Sequence, residues 1–173
     1  MVFITGGTGV LGIHLLYDLV SKGEKVRALK RKDSDLSTLR EVFSFYSDKP
    51  DELLEKIEWV NGDVLDIYSL LEGMDGVDKV IHAAAFVSFN PTKRDLVHKI
   101  NVEGTANCIN AALEKNVKRF CYVSSVAAIG RKKKDKFVTE KGKWAENNET
   151  SVYALTKYLG EREAWRGMVE GLE

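Results

Sequence analysis

Cysteine is scarce. Cys108 and Cys121 are the only two in 173 residues; they form no CxxC pair and no other ligating side chains cluster beside them. This argues against a disulfide scaffold and a thiolate metal site. Both are expected to be reduced and buried, one in a helix and one in a strand. Long apolar runs are missing too: "VIHAAAFV", residues 80 to 87, is strand-sized and far short of the ~18 residues of a membrane span, so no membrane partner is expected. The N-terminus has neither the basic flank nor the apolar stretch of a signal peptide, which leads to the expectation of a cytoplasmic protein. Charge of one sign is absent, since 26 Lys and Arg balance 26 Asp and Glu. No global field then favours nucleic acid, and any anion site must be local. The one charge run, "RKKKDK" at 131 to 136, reads as a solvated loop; a partner-binding patch there would want interleaved aromatics.

What is present is order. With 44% hydrophobic residues, the chain suits one domain of the usual ~100–200 residues. Short β-branched runs alternate with longer amphipathic stretches, the pattern of βαβ units feeding a parallel sheet, so the fold class is α/β. Five strands are predicted: Val2–Thr5, Lys25–Leu29, Ile57–Asn61, Lys79–Ala83 and Arg119–Ser124, the last two too apolar to have a wet face. Leu11, Leu15, Leu16, Leu19 and Val20 line one side of a first helix that Gly23 ends. A second helical stretch carries Leu36 to Tyr46 and restarts at Pro50. Asp66 caps a short helix, Asp95–Lys115 makes a fourth, and a last one begins near Thr150.

"VFITGGTGVLG", residues 2 to 12, carries the most specific chemistry. Gly7-x-Gly9-x-x-Gly12 and Gly6-x-x-Gly9-x-x-Gly12 both follow a strand and open a helix, the setting in which glycines let the backbone approach a pyrophosphate at a helix N-terminus. No Lys-Ser or Lys-Thr follows, so a triphosphate-hydrolysing loop is not expected. The end of the second strand reads "RALKRKD". An acidic residue there would bind a ribose 2′-hydroxyl and a basic one a 2′-phosphate; Lys30, Arg31 and Lys32 favour NADP(H), while Asp33 keeps NAD(H) open.

"SVYALTKYLGE" places Tyr153 and Lys157 one helical turn apart. A phenol titrates near pH ~10, and a neighbouring cation lowers that toward neutrality, which makes Tyr153 a candidate acid or base. Ser124 and Ser125 end the fifth strand, where parallel sheets bind ligands, although capping and turn formation explain serines there equally well.

In order and spacing these motifs resemble the extended short-chain dehydrogenase/reductase family, the NAD(P)-dependent epimerases, dehydratases and reductases. "TGGTGVLG", "GDVLD" at 62 to 66, "HAAA" at 82 to 85, "NVEGT" at 101 to 105, "SSVAAIG" at 124 to 130 and "YALTK" at 153 to 157 carry the resemblance, and "VRALKR" looks most like the dihydroflavonol-reductase-like branch. It implies a Rossmann-type doubly wound parallel sheet in strand order 3-2-1-4-5. It also implies hydride transfer at a secondary alcohol or ketone, with Ser125, Tyr153 and Lys157 catalytic. Gly6, Gly9, Val10, Leu11 and Gly12 would hold the pyrophosphate, Arg31 the 2′-phosphate, and Asp63 and Val64 the adenine. Ala83, Ala84 and Ala85 would let the cofactor lie close, while Tyr153 and Lys157 meet its nicotinamide end. Asn101 would be structural or part of a proton relay; His82 reads as packed, and His14 and His98 as surface residues. A homodimer and a small-molecule substrate are the expected partners. Family members continue into further strands and a substrate region, so residues 1–173 are expected to be the dinucleotide-binding part of a longer chain. The competing reading is a dinucleotide-sensing regulator on the same fold, for which Ser125, Tyr153 and Lys157 together would be superfluous.

Overall fold

Strands β1 (Val2–Thr5), β2 (Val26–Lys30), β3 (Ile57–Asn61), β4 (Lys79–His82) and β5 (Arg119–Tyr122) form one parallel sheet in the order β3-β2-β1-β4-β5. This is the expected doubly wound arrangement, with β1 at its centre and the order reversing between β1 and β4. The computed structural model describes residues 1–88, 90–130, 137–142, 144 and 150–173. The charge run at 131 to 136 lies outside them.

The period-two alternation of the strands divides the core. Val2, Ile4, Val26, Ala28 and Ile57 face one way, against helices α1 (Val10–Ser21) and α2 (Ser37–Ser44). Phe3 and Val80 face the other, against α4 (Ile67–Gly73) and α6 (Gly104–Glu114). Phe3, Ile4, Leu16, Phe43, Leu70 and Ile109 are fully buried in these two layers. Gly23 ends α1 at φ +79, and Pro50 occupies the first turn of α3 (Pro50–Leu54). The Asp66 side chain caps α4 by accepting from the Tyr68 N–H. The long C-terminal helix α7 (Val152–Val169) starts at Ser151, whose hydroxyl accepts from the Ala154 N–H.

Four expectations need correction. The predicted helix Asp95–Lys115 is interrupted: α5 (Arg94–His98) passes through a π-helical turn, Lys99–Glu103, into α6. Such turns widen the helix by one residue and are common at functional sites; this one carries the buried Asn101. Cys108 is buried as expected, but Cys121 is exposed. The position of β5 in the sheet explains both Cys121 and the failure of the fully buried reading of the fifth strand. β5 is the sheet edge, and its residues alternate between exposed and half-buried. Apolar composition alone could not distinguish an edge from a centre. Strands β4 and β5 also stop at His82 and Tyr122, short of the predicted Ala83 and Ser124, because the chain turns there into the loops that line the site.

Candidate active site

The carboxyl ends of β1, β2, β3 and β4 open onto a cleft of about 280 Å³. Its walls include Gly6, Gly9, Arg31, Asp63, Val64 and the run Ala83, Ala84 and Ala85, all of them residues singled out in the sequence. Sequence reasoning missed Thr8, Ser34, Phe86 and Ile100, which also line it. Ser34 was in principle readable, because it follows the basic turn and lies within hydrogen-bonding reach of it. The Arg31 N–H donates to the Ser34 hydroxyl at 3.1 Å, and the Ser34 N–H to the Arg31 carbonyl at 3.0 Å.

The glycines act by what they lack. Gly6 adopts φ +74, and a Cβ on it would fall 2.6 Å from the Ala84 nitrogen, so the loop is pressed against the end of β4. A Cβ on Gly12 would collide with the carbonyl oxygen of Gly6 and the Cα of Gly7. Gly9 is the N-cap of α1 and supplies no capping side chain. The first-turn N–H groups are therefore left for a ligand, in the field of the positive helix end. Val10 and Leu11 stand exposed at this terminus, 84% and 49% accessible. A glycine floor, an uncapped helix end and a cleft running toward Asp63 fit the diphosphate and adenosine of a dinucleotide. Asp63 keeps one carboxylate oxygen on the Leu65 N–H at 2.9 Å.

The basic turn divides its labour. Lys30 donates to the Asn61 side-chain oxygen at 2.9 Å, whereas among the described residues the Arg31 guanidinium has neither hydrogen bond nor ion pair. Arg31 lines the cleft; Lys32 and Asp33 do not.

Ser125, Tyr153 and Lys157 are not in the wall of this cleft but lie beyond its Ala85 and Phe86 end, on the β5 loop and the first turns of α7. Lys157 is 2% accessible; its ammonium donates to the Val123 carbonyl at 2.7 Å and sits 4.2 Å from the centroid of the Tyr122 ring. Ser125 accepts from the Ala127 N–H at 3.1 Å, capping a short 3₁₀ turn, and among the described residues its own proton has no acceptor. Ser124, by contrast, has its hydroxyl enclosed. Among the described residues no hydrogen bond joins Tyr153 to Lys157 or to Ser125. What ties the region together is Asn101. Its amide accepts from the Phe86 N–H at 2.7 Å, and donates to the Phe86 carbonyl at 3.0 Å and to the Thr156 hydroxyl at 3.1 Å. Thr156 in turn donates to the Tyr153 carbonyl at 2.9 Å.

Burial pushes the Lys157 ammonium down to about 8, only partly offset by Glu161. Below that pH both folded and unfolded chains carry the proton, and folding bears the cost of desolvating it. Between about 8 and the unfolded value of 10.5 only the unfolded chain binds it, so stability attributable to Lys157 should rise with pH. Urea midpoints for wild type and Lys157→Met, taken across that window, should show wild type gaining on the variant. A gap that does not change with pH would mean the ammonium is not desolvated.

A model of the NAD dependent epimerase/dehydratase family matches residues 2–169. The chain belongs to that family. Within the family, the chain is similar to a putative dihydroflavonol 4-reductase of Synechocystis, 34% identical over 98% of this chain and 45% of that protein. It is also similar to cinnamoyl-CoA reductase 1 of Petunia hybrida, 30% identical over 95% of this chain and 49% of the relative. The chain thus spans about half the length of these curated relatives. The crystal structure of gox2253 superimposes with a TM-score of 0.80 at 31% identity, over 96% of this chain and 46% of that one. A short-chain dehydrogenase/reductase superfamily protein from Agrobacterium tumefaciens, solved with bound NAD, superimposes at 0.74 and 30% identity, over 95% of this chain and 44% of that one. Among the described residues of this epimerase/dehydratase family member, no helix is long and apolar enough to cross a membrane, and no group of three His, Cys, Asp or Glu could hold a metal.

Proposed function

We propose that this chain is the dinucleotide-binding part of an NADP(H)-preferring oxidoreductase or epimerase acting on a secondary alcohol or ketone of a small-molecule substrate. The observation that carries the cofactor preference is the Arg31 guanidinium, without a partner among the described residues, at the cleft beside Ser34, with Asp33 outside it. A 2′-phosphate would meet a cation and a hydroxyl there, while Asp33, the carboxylate placed to bind a bare ribose, stands outside the cleft.

A bound dinucleotide would supply or accept the hydride. The chain's own residues would do the rest. Tyr153 moves a proton to or from the substrate oxygen, Ser125 donates a hydrogen bond that orients that oxygen, and the Lys157 ammonium would hold the nicotinamide ribose. That ammonium donates to the Val123 carbonyl, one residue before the two serines, which ties α7 to the β5 loop. The reductases among the relatives, and the family's epimerase and dehydratase description, support this class of chemistry.

Calorimetric titration with NADP⁺ and NAD⁺ at one salt concentration tests the preference. NADP⁺ should bind about ten- to a hundredfold more tightly, the range given by one charge-assisted hydrogen bond, and Arg31→Ala should erase the difference. Equal binding of both dinucleotides by wild type would overturn the 2′-phosphate reading.

A further inference from the structure

The parallel register sets Thr5 beside His82 and His82 beside Tyr122, so their side chains share one face of the sheet at its carboxyl edge. His82 is fully buried there, stacked on Tyr122 with ring centroids 5.8 Å apart. Its two ring nitrogens both have partners: Nδ1 lies 2.6 Å from the Thr5 hydroxyl and Nε2 lies 3.0 Å from the Thr105 hydroxyl.

The protons in this row have one consistent arrangement. Thr105 gives its only hydroxyl proton to the Asn101 carbonyl at 2.7 Å, so it must accept from Nε2–H. Nδ1 is then a bare acceptor and takes the Thr5 proton. The Thr5 oxygen is left free to accept the Ala84 N–H, which lies 3.3 Å away. An imidazolium would place a second N–H against Thr5 and strand the threonine proton; burial and the nearby Lys157 ammonium push the ring down to about 3.

We propose that His82 is a positioning residue: held between Thr5 and Thr105 as its Nε2–H tautomer, it fixes the Ala83–Ala84 peptide that walls the cleft. Because the Ala84 nitrogen is the atom a Gly6 side chain would strike, this peptide also sets the height of the glycine loop. Through Thr105 and Asn101 the same row reaches the π-helical turn and the first turns of α7. The consequence for binding rests on the dinucleotide reading above; the tautomer and the anchoring of Ala84 do not.

The test begins with nitrogen NMR of the histidine-labelled wild-type chain. A protonated Nε2 and a bare Nδ1, unchanged from about pH 5 to 8, are expected. An Nδ1–H tautomer, or titration near the ordinary histidine value, would overturn the proposal even if every variant failed to fold. Thr5→Val then removes the hydroxyl at nearly constant shape. Amide exchange at Ala84 should quicken about tenfold or more while Phe86, held by Asn101, stays protected, NADP⁺ should bind about tenfold more weakly, and Thr5→Ser should restore both. Wild-type exchange at Ala84 in Thr5→Val would sink the idea. A wild-type chain that shows the expected tautomer and exchange but binds no dinucleotide would instead refute the cofactor reading and leave the positioning intact.

Discussion

Gly12→Ala should abolish measurable dinucleotide binding and destabilise the chain by about 3 kcal/mol. The added methyl would meet backbone on two sides, the Gly6 carbonyl oxygen and the Gly7 Cα, and no flexible side chain is available to yield. Relief requires moving the start of α1 away from the loop, and that displaces the N–H groups that would face the diphosphate. Gly23→Ala is the matched control. Gly23 has a positive φ, +79, which Gly12 does not, but nothing lies within 4 Å of its Cβ position. It should cost about 1 kcal/mol and leave binding untouched. Urea unfolding and NADP⁺ titration of both variants read the two effects separately. A Gly12→Ala chain that binds within a few-fold of wild type would mean that the loop does not hold the phosphates.

The second large effect concerns turnover. In the form of the protein that shows oxidoreductase or epimerase activity, Tyr153→Phe should lower kcat by about 10²- to 10⁴-fold while changing dinucleotide affinity by no more than about threefold. The split follows from the geometry. Tyr153 is outside the wall of the cleft, and its contact to the network is through its backbone carbonyl, which phenylalanine keeps. Only the hydroxyl is removed, so folding and cofactor capture survive while proton transfer does not. Retained turnover would assign the proton to another group and leave the dinucleotide-sensing reading open. Loss of affinity in step with kcat would show that the residue serves binding instead.

Local features of this protein were readable because their physics is local. The glycine loop, the four-residue spacing of Tyr153 and Lys157, the cap at Asp66, and the restart at Pro50 each depend on neighbours within a turn or two. Strand order followed from the alternation of runs and the family resemblance. What escaped was set by long-range pairing. Nothing in "FIT" or "VIH" shows that Thr5 and His82, 77 residues apart, form a hydrogen bond; only the β1–β4 register does so. The π-helical turn was invisible because Asn101 is drawn inward by Phe86 and Thr156, partners 15 and 55 residues away. Cys121 was misplaced for a related reason, since burial of a strand depends on what stands next to it. Among four charged residues in "KRKD", composition suggested a sign, and the structure puts Lys30 and Arg31 at the cleft, Lys30 held by Asn61 and Arg31 in the turn closed by Ser34.

Asn101 has a mechanical consequence. Three segments far apart in sequence, the loop after β4, the π-helical turn and the start of α7, converge on a single carboxamide whose two N–H groups and oxygen are all engaged with them. None can loosen without unmaking bonds of the others, so they form one cooperative unit. This end of the sheet is therefore built as a latch, and a fault in any one segment is felt in all three.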